Sequence, residues 1–152
     1  MLRRAFFGLI LATIAGLIAA GPALHAQGDS PGELKPSTFQ VRKDVIAVIE
    51  SQLKAFRAHD LAKAYSWAAP ALRAQVPLSQ FIAIVRSGYP EVWANQSASY
   101  GVVRNSDERA TVAVKVKGPD GSASYDYILL KAPDGWRVGG VLRHVLQPDQ
   151  SL

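Results

Sequence analysis

Cysteine is absent from the 152 residues, which excludes disulfides, thiol catalysis, thiolate metal sites and lipid attachment behind a leader. Histidine is scarce, and beyond residue 26 only His59 and His144 remain, too far apart in sequence to form a metal motif. No serine stands in a nucleophile elbow. No glycine-rich phosphate loop occurs either, since Gly118 and Gly121 bracket an ordinary hairpin turn. Internal repeats are lacking, and no apolar run after residue 26 approaches the length that spans a bilayer.

The N-terminus is where hydrophobicity concentrates. Met1-Leu2-Arg3-Arg4 is basic, residues 5–20 are uncharged and apolar, and Gly21-Pro22 breaks a helix before Ala23-Leu24-His25-Ala26. That order is the order of a secretory signal: cations hold the start of the chain back, an apolar helix enters the translocation site, and proline presents extended backbone to a peptidase. Cleavage is expected after Ala26. Ala23 is the alternative, because Leu24 is large for the position it occupies, and an uncleaved anchor is the competing reading of the same run. The expected destination is outside the cytoplasm, in the periplasm of a Gram-negative bacterium.

Seventeen Lys and Arg stand against twelve Asp and Glu, a formal charge of +5. Removal of residues 1–26 takes Arg3 and Arg4 with it, so part of the basicity belongs to the leader. The modest remainder, without a basic stripe interleaved with aromatics, argues against a nucleic-acid partner. What is left is enough chain for one domain with one core.

Residues 27–43 contain Gly28, Asp29, Ser30, Pro31, Gly32 and Pro36 and read as a flexible linker. From Asp44, taken as an N-cap, Val45, Ile49, Leu53 and Phe56 line one helical face, with Lys43, Glu50, Lys54 and Arg57 on the solvated side. Asp60 caps a second helix carrying Leu61, Ala64 and Tyr65. Pro70 starts a short third piece, and residues 78–86 form another helix that Gly88 is placed to end in a left-handed conformation. The period then changes to two: Ala110, Val112, Val114 and Val116 alternate with Thr111, Ala113, Lys115 and Lys117. Strands at 97–104, 123–131 and 136–145 flank that one across turn-forming segments, and Gly139-Gly140 suggests a bulge that curls the sheet. The expectation is an α+β domain over residues 44–146, N-terminal helices on a curled four-stranded antiparallel sheet, with a tail at 147–152.

Helices packed in the concave face of a curled meander resemble the cystatin-like cone of the nuclear transport factor 2-like superfamily. The stretches Ile49-Glu50-Ser51-Gln52-Leu53-Lys54-Ala55-Phe56, Ala69-Pro70, Val85-Arg86-Ser87-Gly88-Tyr89-Pro90 and Gly135-Trp136-Arg137-Val138-Gly139-Gly140 are similar to the domain of unknown function 4864 family. The resemblance implies the cone and a pocket between helices and sheet. It brings no activity with it, because cone proteins include isomerases, hydrolases, ligand binders and assembly modules.

Two residues are candidate general bases. Asp126, between Tyr125 and Tyr127, shares a strand face with Ile128 and Leu130, and His144 aligns by alternation with Trp136, Val138 and Leu142. A solvated strand face, or a neighbouring lysine paired with Asp126, is the plainer reading of the first; partial exposure is the plainer reading of the second. His59 at a helix end needs only the terminal carbonyls. Residues 85–93 crowd Arg86, Tyr89 and Trp93 around Gly88 and Pro90, and with Tyr65 these are candidate ligand-binding residues: Arg86 for an anionic group, the aromatics for an apolar or cyclic body. The plainer alternative has the aromatics plugging the open end of the cone. The leading expectation is a non-catalytic ligand-binding or assembly module, with a small apolar or anionic ligand or a homodimer through the sheet face. The alternative is a small isomerase or hydrolase using Asp126 or His144. No cofactor is expected, and the membrane is expected only at the signal segment.

Overall fold

A computed structural model describes residues 32–144. The expected leader with its candidate cleavage positions Ala23 and Ala26, the first part of the expected linker and the expected tail at 147–152 lie outside the described residues.

Helix α1, Phe39–Arg57, begins five residues before Asp44 because the Thr38 hydroxyl, not Asp44, accepts the backbone N–H of Val41 at 3.3 Å. Periodicity places the start too late, since this first turn meets solvent and Phe39 is 80% exposed. The helix buries Val45, Val48, Ile49, Gln52, Leu53, Ala55 and Phe56. It ends in a Schellman arrangement, in which Asp60 N–H donates to the Ala55 carbonyl and His59 N–H to that of Phe56, with His59 left-handed at φ 55°. Asp60 then caps α2, Leu61–Ser66, accepting from Lys63 N–H. Pro70 opens α3, Pro70–Gln75, and α4 covers Leu78–Gly88. Gly88 is not the left-handed cap expected of it. It stays in the helix and Tyr89 (φ −134°) ends it, as the residue before Pro90 must leave the helical region when α5, Pro90–Trp93, begins.

The sheet has five strands, not four, all antiparallel in the order β1-β2-β3-β4-β5. The expected meander is β2, Ser97–Asn105, β3, Arg109–Gly118, β4, Gly121–Ala132, and β5, Gly135–Arg143. The addition is β1, Lys35–Pro36, which pairs with Asn105 and Arg104. Residues 35–36 and 39–43, counted in the linker by composition, are therefore strand and helix. Gly121 and Gly135 open their strands at φ +137° and +124°, the turn geometry a side chain would resist.

Ala110, Val112, Val114 and Val116 of β3 face the helices together with Tyr125, Tyr127 and Leu129 of β4 and Trp136 and Val138 of β5. The fold class is thus α+β, with the helices on one face of an antiparallel sheet. The interior is filled by these side chains and by Phe56, Phe81 and Trp93, whose rings pack at 6.0 and 6.2 Å.

Candidate functional site

The β4–β5 register decides where the sequence candidates point. Leu129 pairs with Val138 but Ile128 pairs with Gly140, so Gly139 is an extra residue. A Cβ there would stand 2.7 Å from Leu130 Cγ, and only glycine fits the bulge unless that side chain shifts. Beyond it the alternation inverts. Val141 and Arg143 take the helix-facing side opposite Tyr127 and Tyr125, while Leu142 and His144 join Asp126 on the outer face. His144 therefore does not share the side of Trp136 and Val138. Its Nε2 lies 2.7 Å from Asp126 Oδ2, with both side chains nearly half exposed. The apolar face that Asp126 shares with Ile128 and Leu130 is the sheet's outer surface, so neither residue sits in a desolvated pocket.

The other candidates divide. The Tyr65 phenol donates to the Val76 carbonyl at 2.6 Å, with the Arg73 carbonyl 3.0 Å away, which holds the end of α3, and its ring packs on Phe81 at 5.2 Å. Trp93 packs on Phe56. Tyr89 donates to the Val141 carbonyl at 2.8 Å and stacks on Tyr125 at 5.8 Å, and burial raises its pKa. Arg86 is exposed at the end of α4 and meets none of these three. The four do not converge on one site.

Two carboxylates are partly buried: Glu50, which the helical pattern places on the solvated side, and Glu91 in α5. Glu50 accepts the Tyr100 phenol, and Arg57 stands 3.7 Å away. Glu91 accepts the Tyr125 phenol and the Arg143 guanidinium, the latter at 2.7 Å. Tyr100, Val114, Tyr125 and Arg143 are cross-strand neighbours in a single row of the sheet, so one register supplies both phenols and one of the cations. Desolvation, then the bond to the adjacent glutamate, pushes the pKa of Tyr100 and of Tyr125 well up. Tyr127, in the next row, is fully buried, its hydroxyl has no partner, and burial raises its pKa too. These carboxylates are tied to donors and are not free bases.

Two more unsatisfied polar groups lie toward the other end of the sheet. A cleft of about 360 Å³ between α1 and the β4–β5 hairpin is lined by Asp44, Val48, Trp67, Lys131, Trp136 and Arg137, with Asp134 and Gly135 at the turn. The chain after α2 is bonded along β5: Val138 donates to the Trp67 carbonyl and Ala69 to the Val138 carbonyl. That brings the two indoles to one wall. Lys131 Nζ stands 4.8 Å from the centre of the Trp136 ring, and Arg137 Cζ 5.0 Å from that of Trp67. Arg137 is further held by Asp134 and by the Trp136 carbonyl, both at 2.7 Å. Both indole N–H groups are buried without an acceptor in the protein, a cost of about 1–3 kcal/mol each. No spacing in the sequence links residue 67 to residues 131–137. Among the described residues no three His, Asp or Glu side chains converge as metal ligands.

Among known families, the model described as Domain of unknown function (DUF4864) matches residues 38–150. No curated protein matches the chain.

Proposed function

The chain belongs to the family described as domain of unknown function 4864, and from that premise we propose that it is an exported, non-catalytic binding module whose small ligand sits in the cleft between α1 and the β4–β5 hairpin. The observation that carries the reading is the pairing there of two indoles with two cations. Arg137 is neutralised by Asp134, and the Asp44 carboxylate of the lining accepts from the Gln40 amide, while Lys131 has the Trp136 ring and no ion pair with either carboxylate. An anionic group on Lys131, with a flat apolar body against the indole wall, uses what the cleft offers. Asp126 paired with His144 in solvent, and Glu50 and Glu91 tied to phenols and arginines, support binding over general-base catalysis.

We read the helices on the curled sheet as a cystatin-like cone of the nuclear transport factor 2-like superfamily, a reading supported by the order of elements and by the bulges at residues 100–103 and at Gly139. Export to the periplasm rests on the basic, apolar and small-residue zones of residues 1–26.

Native mass spectrometry of the protein purified from the envelope of its own cells tests both parts. The expected species lacks residues 1–26 and carries a small anionic adduct. Rebinding of that adduct changes tryptophan emission, and Lys131→Ala weakens it at least about tenfold, the loss of one charge-assisted contact. An adduct-free protein, or an adduct indifferent to Lys131→Ala, overturns the assignment of the cleft.

A further inference from the structure

The outer face of the sheet carries a charge pattern that the cleft does not use. Register sets Lys115 between Ser99 and Ser124, and Lys117 between Ser97 and Ser122. All six are exposed, and their side chains make no hydrogen bond or ion pair. Arg104 and Arg109 extend the same face toward the far end of β2 and β3. The single carboxylate that the strands place there, Asp126, is engaged by His144. Between the two cationic ends stand Val102, in the β2 bulge, and Leu142, which are 66% and 59% exposed.

We infer that this face docks on an anionic phospholipid bilayer. Residues two apart on a strand sit about 7 Å from each other on one face, so the lysines are spread in a plane and do not converge on one anion. A plane of separate cations bordered by hydroxyls matches a plane of separate headgroup phosphates, each cation near such a surface adding its own increment of attraction. Val102 and Leu142 supply the apolar groups that enter the interface. A second copy of the chain fits less well, because two such faces would set cation against cation.

The complete lack of cysteine makes a single introduced thiol unique, so the face that touches lipid can be read even though residues 5–20 are themselves apolar. The full chain is labelled at Leu142→Cys, or at Val102→Cys, with an environment-sensitive dye, and at Lys54→Cys on the exposed side of α1 as reference. It is mixed with phosphatidylcholine vesicles with and without phosphatidylglycerol. The outer-face dye is expected to shift to shorter wavelength on the anionic vesicles alone, the Lys54 position is not, and salt reverses the shift. Lys115→Ser/Lys117→Ser should weaken this response about 30-fold, whereas the charge-matched pair Lys54→Ser/Lys63→Ser leaves it in place. The proposal is overturned if the outer-face dye stays in water on vesicles that bind the chain, or if no vesicle binds. It is also overturned if neutral vesicles give the same shift, if both lysine pairs act alike, or if the shift follows protein concentration without lipid, the signature of self-association.

Discussion

His144 meets Asp126 at 2.7 Å across the outer face of β4 and β5, and the contact exists because Gly139 adds one residue to β5. The pair is half exposed, so Asp126→Ala or His144→Ala should each cost less than about 1 kcal/mol in urea denaturation. Gly139→Ala is expected to cost more, about 1–3 kcal/mol, as its methyl would overlap Leu130. Leu130→Ala in the same chain should recover most of that loss, because it removes the atoms in conflict.

The buried phenols are predicted to respond in opposite senses to the loss of a hydroxyl. Tyr127→Phe removes a buried group with no partner and should leave stability unchanged or raise it by up to about 1 kcal/mol. Tyr125→Phe takes a donor from Glu91 and should lower it by about 1–3 kcal/mol. Paired urea titrations at neutral pH measure both.

Alkaline pH should unfold the domain cooperatively. Tyr89, Tyr100, Tyr125 and Tyr127 all have pKa values raised above 10.0 by burial. Below pH 10 folded and unfolded chains both hold these protons, so the contribution is fully present. Above it the unfolded chain releases them first, and stability falls by up to about 1.4 kcal/mol per pH unit for each phenol. Melting temperature should decline from about pH 10 upward, and tyrosinate absorbance should appear together with the loss of helix. Tyrosinate forming well before unfolding would contradict the burial described.

His59 holds a left-handed conformation at the end of α1. His59→Gly relieves the Cβ conflict there at some cost in chain entropy, for a net gain of about 0.5–1 kcal/mol. A raised thermal midpoint with unchanged circular dichroism is the expected result.

The inward valines of β3 were legible in sequence because each alternates with a polar residue and both neighbours are strands. Asp60 as a cap and the bulge at Gly139-Gly140 were legible for the same reason: the signal is local. The direction of His144 was not, since an inserted residue inverts every side chain after it, and sequence names the glycines without saying which one is extra. Glu50 looked solvated because a helical wheel knows nothing of Tyr100, 50 residues away, which turns that carboxylate inward. The cleft was invisible for a related reason: Trp67 reaches Arg137 only through backbone bonds between a loop and an edge strand.

The two-residue strand β1 also sets how the domain yields to force. Load entering from the N-terminal side meets the Lys35–Asn105 and Pro36–Arg104 pairs first, then the Ser37 N–H bond to Val103, and then the first turn of α1. The next element along the chain is the helix that carries Val45, Ile49, Leu53 and Phe56. A pull on the N-terminal side of the described residues therefore reaches the hydrophobic core within a few residues of β1, through the helix that covers the four long strands.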